Sequence, residues 1–249
     1  MSTEVARGLI LRVTDYKEAH RLLTVLLESG EKRTVLARRA RQKNSPLAAA
    51  TQLLTYGELT LFRYRGTCTL DAAATIEQFL PLRADVERLA LGCYFAELAE
   101  QLSEGDTASP ELLPLVLNAL YALGQQTAPT GQIKAAFELR LMAMMGFAPR
   151  LEDCAVCGRE MPEGPCLDLR EGLLCCAGCC SGEAARSALC QGSLAAMRYV
   201  LDCPARRLYA FRLEADALGR MEEACEAFLL AQLDRSFRTL TYYHQIRSE

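Results

Sequence analysis

The spacing of apolar and polar side chains changes near residue 80. Before that point, short apolar runs and positions alternating with a period of two are typical of β-strands. The pattern predicts strands over residues 5–13, 22–28, 32–40, 53–64 and 67–78. Turn residues separate the second strand from the third (Ser29-Gly30-Glu31-Lys32) and the fourth from the fifth (Arg65-Gly66). Five strands with no helix between them favour a small barrel.

After residue 80, apolar side chains recur every three to four residues, which predicts helices. The predicted helices cover residues 85–103, 109–126, 130–147, 193–202 and 215–237, with a polar linker over residues 104–109. The helix at 130–147 is apolar all round, which indicates a buried helix. Residues 150–190 are rich in cysteine and glycine and show no period. We therefore predict an α+β protein, with a five-stranded barrel at residues 1–80 and an α-helical domain at 81–249 that carries an insertion at about 150–182.

The composition is that of a globular protein, since 51% of the 249 residues are hydrophobic. No stretch approaches the roughly 18 uncharged apolar residues that a membrane span needs. The N-terminal residues lack the apolar run and small-residue cleavage site of a signal peptide. We expect a cytoplasmic protein that has no membrane partner.

Most of the twelve cysteines lie between Cys154 and Cys190. Two Cys-x2-Cys pairs stand there, Cys154 with Cys157 and Cys176 with Cys179, and the segment 158–175 separates them. This spacing is typical of a structural zinc site, in which four thiolates hold one Zn²⁺ and leave no position open for a reacting water.

Several alternatives to this ligand set remain open. Cys175 could pair with Cys179, or Cys176 with Cys180, because adjacent cysteines can exchange roles. Cys166 is expected to be a non-ligand. The cysteines could also be buried without a metal, or form a redox pair, although a redox pair would require a thioredoxin-like setting that the pattern does not show.

Positive charge is concentrated at the N-terminal end. Residues 1–80 hold 12 Lys/Arg and 8 Asp/Glu, a net charge of +4, whereas the remaining residues carry −7. The candidate phosphate-binding cations are Lys17, Arg21, Lys32, Arg33, Arg38, Arg39, Arg41, Lys43, Arg63 and Arg65. Clustered cations attract a polyanion, and the nearby Tyr16, Phe62 and Tyr64 offer rings for base stacking. The alternative is an ordinary solvated surface.

No motif for nucleotide hydrolysis, hydride transfer or acyl transfer is present, so we assign no catalytic residue. The two histidines, His20 and His244, have no recognisable nucleophile or metal partner in the sequence. Two other functions remain as rivals. The basic loop could bind an acidic protein as part of a scaffold, or Glu222, Glu223 and Glu226 could hold a metal in a nuclease, although an exposed helix face explains these acids more simply.

The chain resembles the RecO family of bacterial recombination mediator proteins. The resemblance is carried by residues 8–26 and 34–41, by residues 137–151 leading into Cys154-x2-Cys157-Gly158, and by residues 170–175 before the second cysteine pair. It implies an N-terminal OB-fold, a helical body and a zinc finger within that body. It also implies a non-catalytic role in DNA repair: binding of single- and double-stranded DNA, annealing of complementary strands, and association with the nucleoid when bound to DNA. The implied protein partners are RecR and single-strand-binding protein, with RecR helping to load RecA onto DNA coated by the latter.

Overall fold

The computed structural model describes residues 2–103, 109–180 and 185–248. The chain divides into two compact units, one formed by residues 1–125 with 237–249 and the other by residues 126–236. The first unit thus contains helices from both ends of the predicted helical domain as well as the barrel. Residues 104–108 of the predicted linker lie outside the described residues.

The N-terminal sheet closes on itself into a barrel. Its strands are β1 (Ser2–Tyr16), β2 (His20–Leu27), β3 (Lys32–Ala37), β4 (Tyr56–Tyr64) and β5 (Thr67–Glu77). The strand order is β1-β2-β3-β5-β4, with β1 paired to both β2 and β4 and with β3 parallel to β5. Gly8 makes the double pairing of β1 possible, because a Cβ there would lie 2.7 Å from Val25 and 2.9 Å from the Leu26 carbonyl oxygen.

The interior of the barrel follows the alternation seen in the sequence. Leu59 and Leu61 are buried, whereas Thr60 and Phe62 between and beside them are partly exposed. These two leucines pack in a core with Ile10, Leu23, Val25, Val35 and Leu70. Burial of one face of each strand stabilises the register, because a shift by one residue would expose that whole face.

Two strands are shorter than predicted by three residues each. The third strand ends at Ala37 rather than at residue 40, and Arg39 has a positive φ of 57°. The fourth begins at Tyr56 rather than at residue 53, because Leu54 has a φ of 59°. Leu54 is buried nevertheless, and its N–H donates to the Ile10 carbonyl oxygen. The strand was predicted to begin too early because the connection before β4 contains buried apolar residues.

Seven α-helices are present in the described residues: α1 (Leu80–Arg83), α2 (Val86–Leu102), α3 (Leu112–Gln125), α4 (Thr130–Met144), α5 (Gln191–Asp202), α6 (Ala215–Leu233) and α7 (Arg238–Ser248). Helix α2 begins after Asp85, whose carboxylate accepts a hydrogen bond from the Arg88 N–H. The predicted helix over residues 215–237 is wrong at its end. It stops at Leu233 because Asp234 adopts a φ of 48°, and the separate helix α7 follows.

In the first unit, α7 packs against α2. The Phe237 and Tyr94 rings meet edge to face at a centroid distance of 5.9 Å. The Glu97 carboxylate accepts a hydrogen bond from the Thr239 N–H at the start of α7, where negative charge is favoured. Helix α7 was not predicted because Leu240 and Tyr243 are its only buried side chains.

In the second unit, α4 packs against α5 and α6. Helix α4 is buried over most of its length, which confirms that part of the prediction. The cysteine-rich segment forms a small sheet of β6 (Cys166–Asp168), β7 (Leu174–Cys175) and β8 (Arg186–Ala188), in the order β7-β6-β8. Strands of two or three residues are too short to show a period in the sequence.

None of the helices among the described residues combines the length and the apolar character that crossing a bilayer requires.

Candidate functional site

Four cysteine sulfurs converge in the second unit. The Sγ atoms of Cys154, Cys157, Cys176 and Cys179 all lie within 4.8 Å of one another, and those of Cys157 and Cys176 are 3.7 Å apart. A tetrahedral ion with Zn–S bonds of about 2.3 Å holds its sulfurs about 3.8 Å apart. The donor set and its spacing therefore fit a tetrahedral metal ion.

Tight turns bring the two cysteines of each pair together. In the first pair, Gly158 has a φ of 71° and its N–H donates to the Cys154 carbonyl oxygen at 2.9 Å. In the second pair, the Cys179 N–H donates to the Cys176 carbonyl oxygen at 3.0 Å. Glycine suits the position after Cys157 because a positive φ favours glycine.

The electrostatic surroundings shift the thiol pKa values of Cys154 and Cys179 in opposite directions. Backbone N–H groups, that of Cys157 foremost and then that of Cys176, lower the pKa of Cys154 to about 6. A hydrogen bond with the Cys157 side chain, followed by burial, raises the pKa of Cys179 to about 12. The backbone thus stabilises one thiolate, whereas several thiolates in the same space repel one another unless a cation binds them.

The structure distinguishes between the possible cysteine pairings. Cys175 lies in β7, and burial raises the pKa of its thiol. The sulfurs of Cys166 and Cys180 lie against each other, outside the group of four. The Cα atoms of Cys166 and Cys180 are 8.0 Å apart, wider than the usual span of a disulfide. Cys176 and Cys179 are therefore the members of the doubled-cysteine segment that join Cys154 and Cys157.

Arg198 of α5 organises the segment that carries the first cysteine pair. Its Nε donates to the Leu151 carbonyl oxygen at 2.7 Å, and its Nη2 donates to those of Glu152 and Glu160 at 2.8 Å each. One guanidinium thus ties together residues on both sides of Cys154 and Cys157. Sequence reasoning missed this role because Arg198 lies far along the chain from that segment and belongs to no motif.

A second candidate site is a groove on the barrel, with a volume of about 1290 Å³. Three of the predicted cations line it, namely Arg38, Arg39 and Arg65. Its other lining residues are Thr3, Leu47, Phe62, Tyr64, Thr67, Thr69, Leu70 and Asp71. Cations, aromatic rings and hydroxyl groups on one concave surface are the elements that bind a flexible polyanion with planar bases.

The two-residue turn between β4 and β5 shapes one rim of this groove. Arg65 and Gly66 have φ values of 48° and 80°, and Tyr64 pairs with Thr67 across the turn. The Arg65 guanidinium lies over the Tyr64 ring, 5.2 Å from its centroid. A ring and a cation are thus held together at the rim.

Four other predicted cations make internal contacts. The Arg21 guanidinium donates to the Thr51 hydroxyl and to the carbonyl oxygens of Thr51 and Ala48. Lys32 Nζ donates to the Glu100 carbonyl oxygen at 2.6 Å. The two remaining side chains make ion pairs: Arg33 with Glu31 and Glu4, and Arg41 with Asp15 at 3.4 Å.

Arg33 is the most completely neutralised cation of the set. Its side chain is only 10% exposed, and its hydrogen bond with Glu31 is the main reason that its pKa is raised. The remaining three predicted cations, Arg63, Lys17 and Lys43, are exposed to solvent. Arg63 lies 3.8 Å from Glu31, Lys17 lies over the Tyr16 ring, and Lys43 is exposed.

The acidic residues considered for a nuclease do not form a metal site. Glu226 makes a 2.7 Å ion pair with Lys134, and the Glu222 carboxylate packs against Gly131. In the part of the chain that the structure describes, the four cysteines are the group of potential ligands that converges on one point.

Comparison with known proteins gives matches over nearly the whole chain. Residues 1–79 match the family model described as Recombination protein O N terminal, and residues 83–241 match Recombination protein O C terminal. DNA repair protein RecO of Symbiobacterium thermophilum is 30% identical over 248 residues, covering 97% of this chain and 96% of the relative. The proteins of the same name from an Anaeromyxobacter species and from Acetivibrio thermocellus are 32% and 26% identical, and the alignments cover at least 94% of each chain.

Proposed function

The chain belongs to the RecO family, and since its relatives are DNA repair proteins, we propose that it binds single-stranded and double-stranded DNA during repair without cutting it. In the same proposal it anneals complementary strands. It also works with RecR to load RecA onto DNA coated by single-strand-binding protein. These finer steps rest on the family resemblance.

The groove on the barrel is the observation that carries this proposal. Arg38, Arg39 and Arg65 offer positive charge to phosphates, and Phe62 and Tyr64 offer rings to bases. We assign the barrel to the OB-fold, a five-stranded barrel that binds oligonucleotides along one face and its loops. The closed order β1-β2-β3-β5-β4 supports that assignment.

Backbone recognition without base reading suits strand annealing. Guanidinium groups neutralise phosphates of one strand, so a second strand approaches with less repulsion. Stacking on a ring holds a base without selecting its identity, because every base has an aromatic face. The protein would then act on any sequence, as repair requires.

We assign one structural Zn²⁺ to Cys154, Cys157, Cys176 and Cys179. Thiolates are soft ligands that suit zinc, and the four sulfurs are spaced for tetrahedral coordination. When bound, the ion cross-links the two cysteine turns and takes no part in chemistry. It therefore stabilises a segment that has too few large apolar side chains to form a core of its own.

Neutralising the groove tests the proposed DNA contact. Arg38→Gln with Arg39→Gln should weaken binding of single-stranded DNA and lower the slope of log affinity against log salt by about 1.4, since each single-strand phosphate contact contributes about 0.7. Fluorescence anisotropy of a labelled oligonucleotide over a salt series measures both quantities. The matched control is Arg159→Gln with Arg220→Gln, which removes two exposed cations outside the barrel. An unchanged slope in the groove variant would refute the assignment.

A further inference from the structure

We propose that His20 is a positioning residue, which holds the backbone of Arg39 so that the Arg38 and Arg39 side chains are placed along the groove before DNA arrives. The inference rests on the proposed DNA-binding function. The family resemblance gives neither histidine of the chain a role. The contact that carries the proposal is between the His20 side chain and the main chain.

The Arg39 N–H donates a 2.8 Å hydrogen bond to Nδ1 of His20. In this contact Nδ1 is the acceptor, so that nitrogen carries no proton. The β2–β3 ladder ends at the pair Arg21 and Ala37. His20 therefore lies one residue beyond the ladder, and its ring binds the chain just after β3 ends.

The conformation that this bond stabilises is an unfavourable one. Arg39 has a φ of 57°, in the left-handed region that non-glycine residues seldom adopt. Such a residue persists where surrounding contacts over-determine it. Glycine would adopt this φ at lower energetic cost than Arg39 does. The hydrogen bond to the His20 imidazole is one of the contacts that stabilise Arg39 in this conformation.

A second set of contacts ties the same loop to the β1–β2 turn. The Arg41 N–H donates to the Ala19 carbonyl oxygen at 3.0 Å, and its guanidinium donates to that of Glu18 at 3.3 Å. The Arg41 side chain also pairs with Asp15 at 3.4 Å. Arg41 therefore acts with His20 to hold the loop, and Arg38 and Arg39 are the residues that the loop presents.

Such an arrangement raises affinity by preorganisation. A mobile loop has to be ordered when it binds, and this cost reduces the observed affinity. A loop that is already held in place avoids most of the cost. His20 thus contributes to DNA binding through Arg39, without needing to contact DNA itself.

Two substitutions of similar size separate this role from a general effect on folding. In His20→Asn the side-chain oxygen occupies the position of Nδ1 and can accept the Arg39 N–H, whereas in His20→Gln it lies one bond farther out, near the position of Nε2. We expect His20→Gln and His20→Ala to bind a labelled single-stranded oligonucleotide about fivefold more weakly, the effect of one lost hydrogen bond. His20→Asn should stay within about twofold of the parent.

Amide hydrogen exchange of Arg39, measured on the full chain without DNA, gives a second readout. Exchange should accelerate in His20→Gln and His20→Ala and stay near the parent rate in His20→Asn. Equal DNA affinity in all three variants, with a parent protein that binds DNA, would overturn this inference alone. A parent protein that does not bind DNA would refute the proposed function, while the exchange rates would still show whether His20 holds Arg39.

Discussion

At the scale of single residues, the cysteine centre depends on side chains that are not ligands. Arg198 holds three carbonyl oxygens of the segment around Cys154 and Cys157, and Gln191 holds a fourth, that of Pro162. Residues that orient the ligands of a metal affect metal affinity even when they do not touch the metal. The geometry of the cysteine centre therefore depends on other side chains besides the four thiols.

We expect Arg198→Ala to weaken zinc retention about tenfold, at the lower end of the effect that outer residues have on metal affinity. The reason is that three carbonyl oxygens lose their donor and residues 151–160 become mobile. A competition titration with a coloured zinc chelator measures this change. Arg159→Ala is the matched control, because its side chain lies in the same segment but makes an exposed pair with Glu163. Equal zinc retention in the two variants would contradict the role given to Arg198.

At the scale of elements, α4 carries a charged cluster in the interior of the second unit. Lys134 Nζ lies 2.8 Å from a carboxylate oxygen of Glu138 and 2.7 Å from one of Glu226. The Lys134 and Glu138 side chains are 2% and 0% exposed, and Glu226 reaches them from α6. The two carboxylates are the reason that the pKa of Lys134 is raised in spite of its burial, which alone would lower it.

Lys134→Met should destabilise the second unit by about 3–5 kcal/mol, because it removes the cation that lies 2.8 Å from the buried Glu138 carboxylate. The double variant Lys134→Met with Glu138→Gln should recover part of this loss, since the buried charge is then removed as well. Urea unfolding followed by circular dichroism compares the variants. Arg220→Met breaks an exposed pair with Asp216 and should have little effect on stability. A similar small cost for Lys134→Met would argue against the buried cluster.

Helices and strands were predictable where their own residues show a periodic pattern of apolar side chains. The five strands, the helical period of α2 and the burial of α4 are all visible as local patterns. Helix α7 was not predicted, since it is held by Tyr94 and Glu97 of α2, which are distant from it along the chain. A short helix with two buried residues has little signal of its own.

At the scale of the whole molecule, the two candidate sites belong to different units. Every residue that lines the barrel groove falls in the first unit, and all four converging cysteines fall in the second. The metal is therefore expected to support the fold of one unit and the cations to bind DNA from the other.

Removal of the metal should lower the thermal stability of the second unit and leave most of the DNA affinity in place. Binding of a structural metal is coupled to folding, so its loss destabilises the segment that it cross-links. Calorimetry and DNA anisotropy before and after treatment with a strong zinc chelator measure the two effects, and restored stability on adding Zn²⁺ is the control. A loss of DNA binding as large as that of the Arg38→Gln, Arg39→Gln variant would show that the two sites are not separate.

The sequence alone was enough to predict the α+β class, the five strands and the cysteine pairs, because period, turn residues and ligand spacing are local properties of the chain. It also indicated that the N-terminal part of the chain is basic. Which of those cations line the groove depends on the folded structure. Arg33 pairs with Glu4, 29 residues away, in addition to the nearby Glu31, and Lys32 is held by Glu100, 68 residues away. Contacts between such distant residues form only when the chain folds, and for this reason the sequence could name the candidate cations but could not separate those that support the fold from those that face the groove.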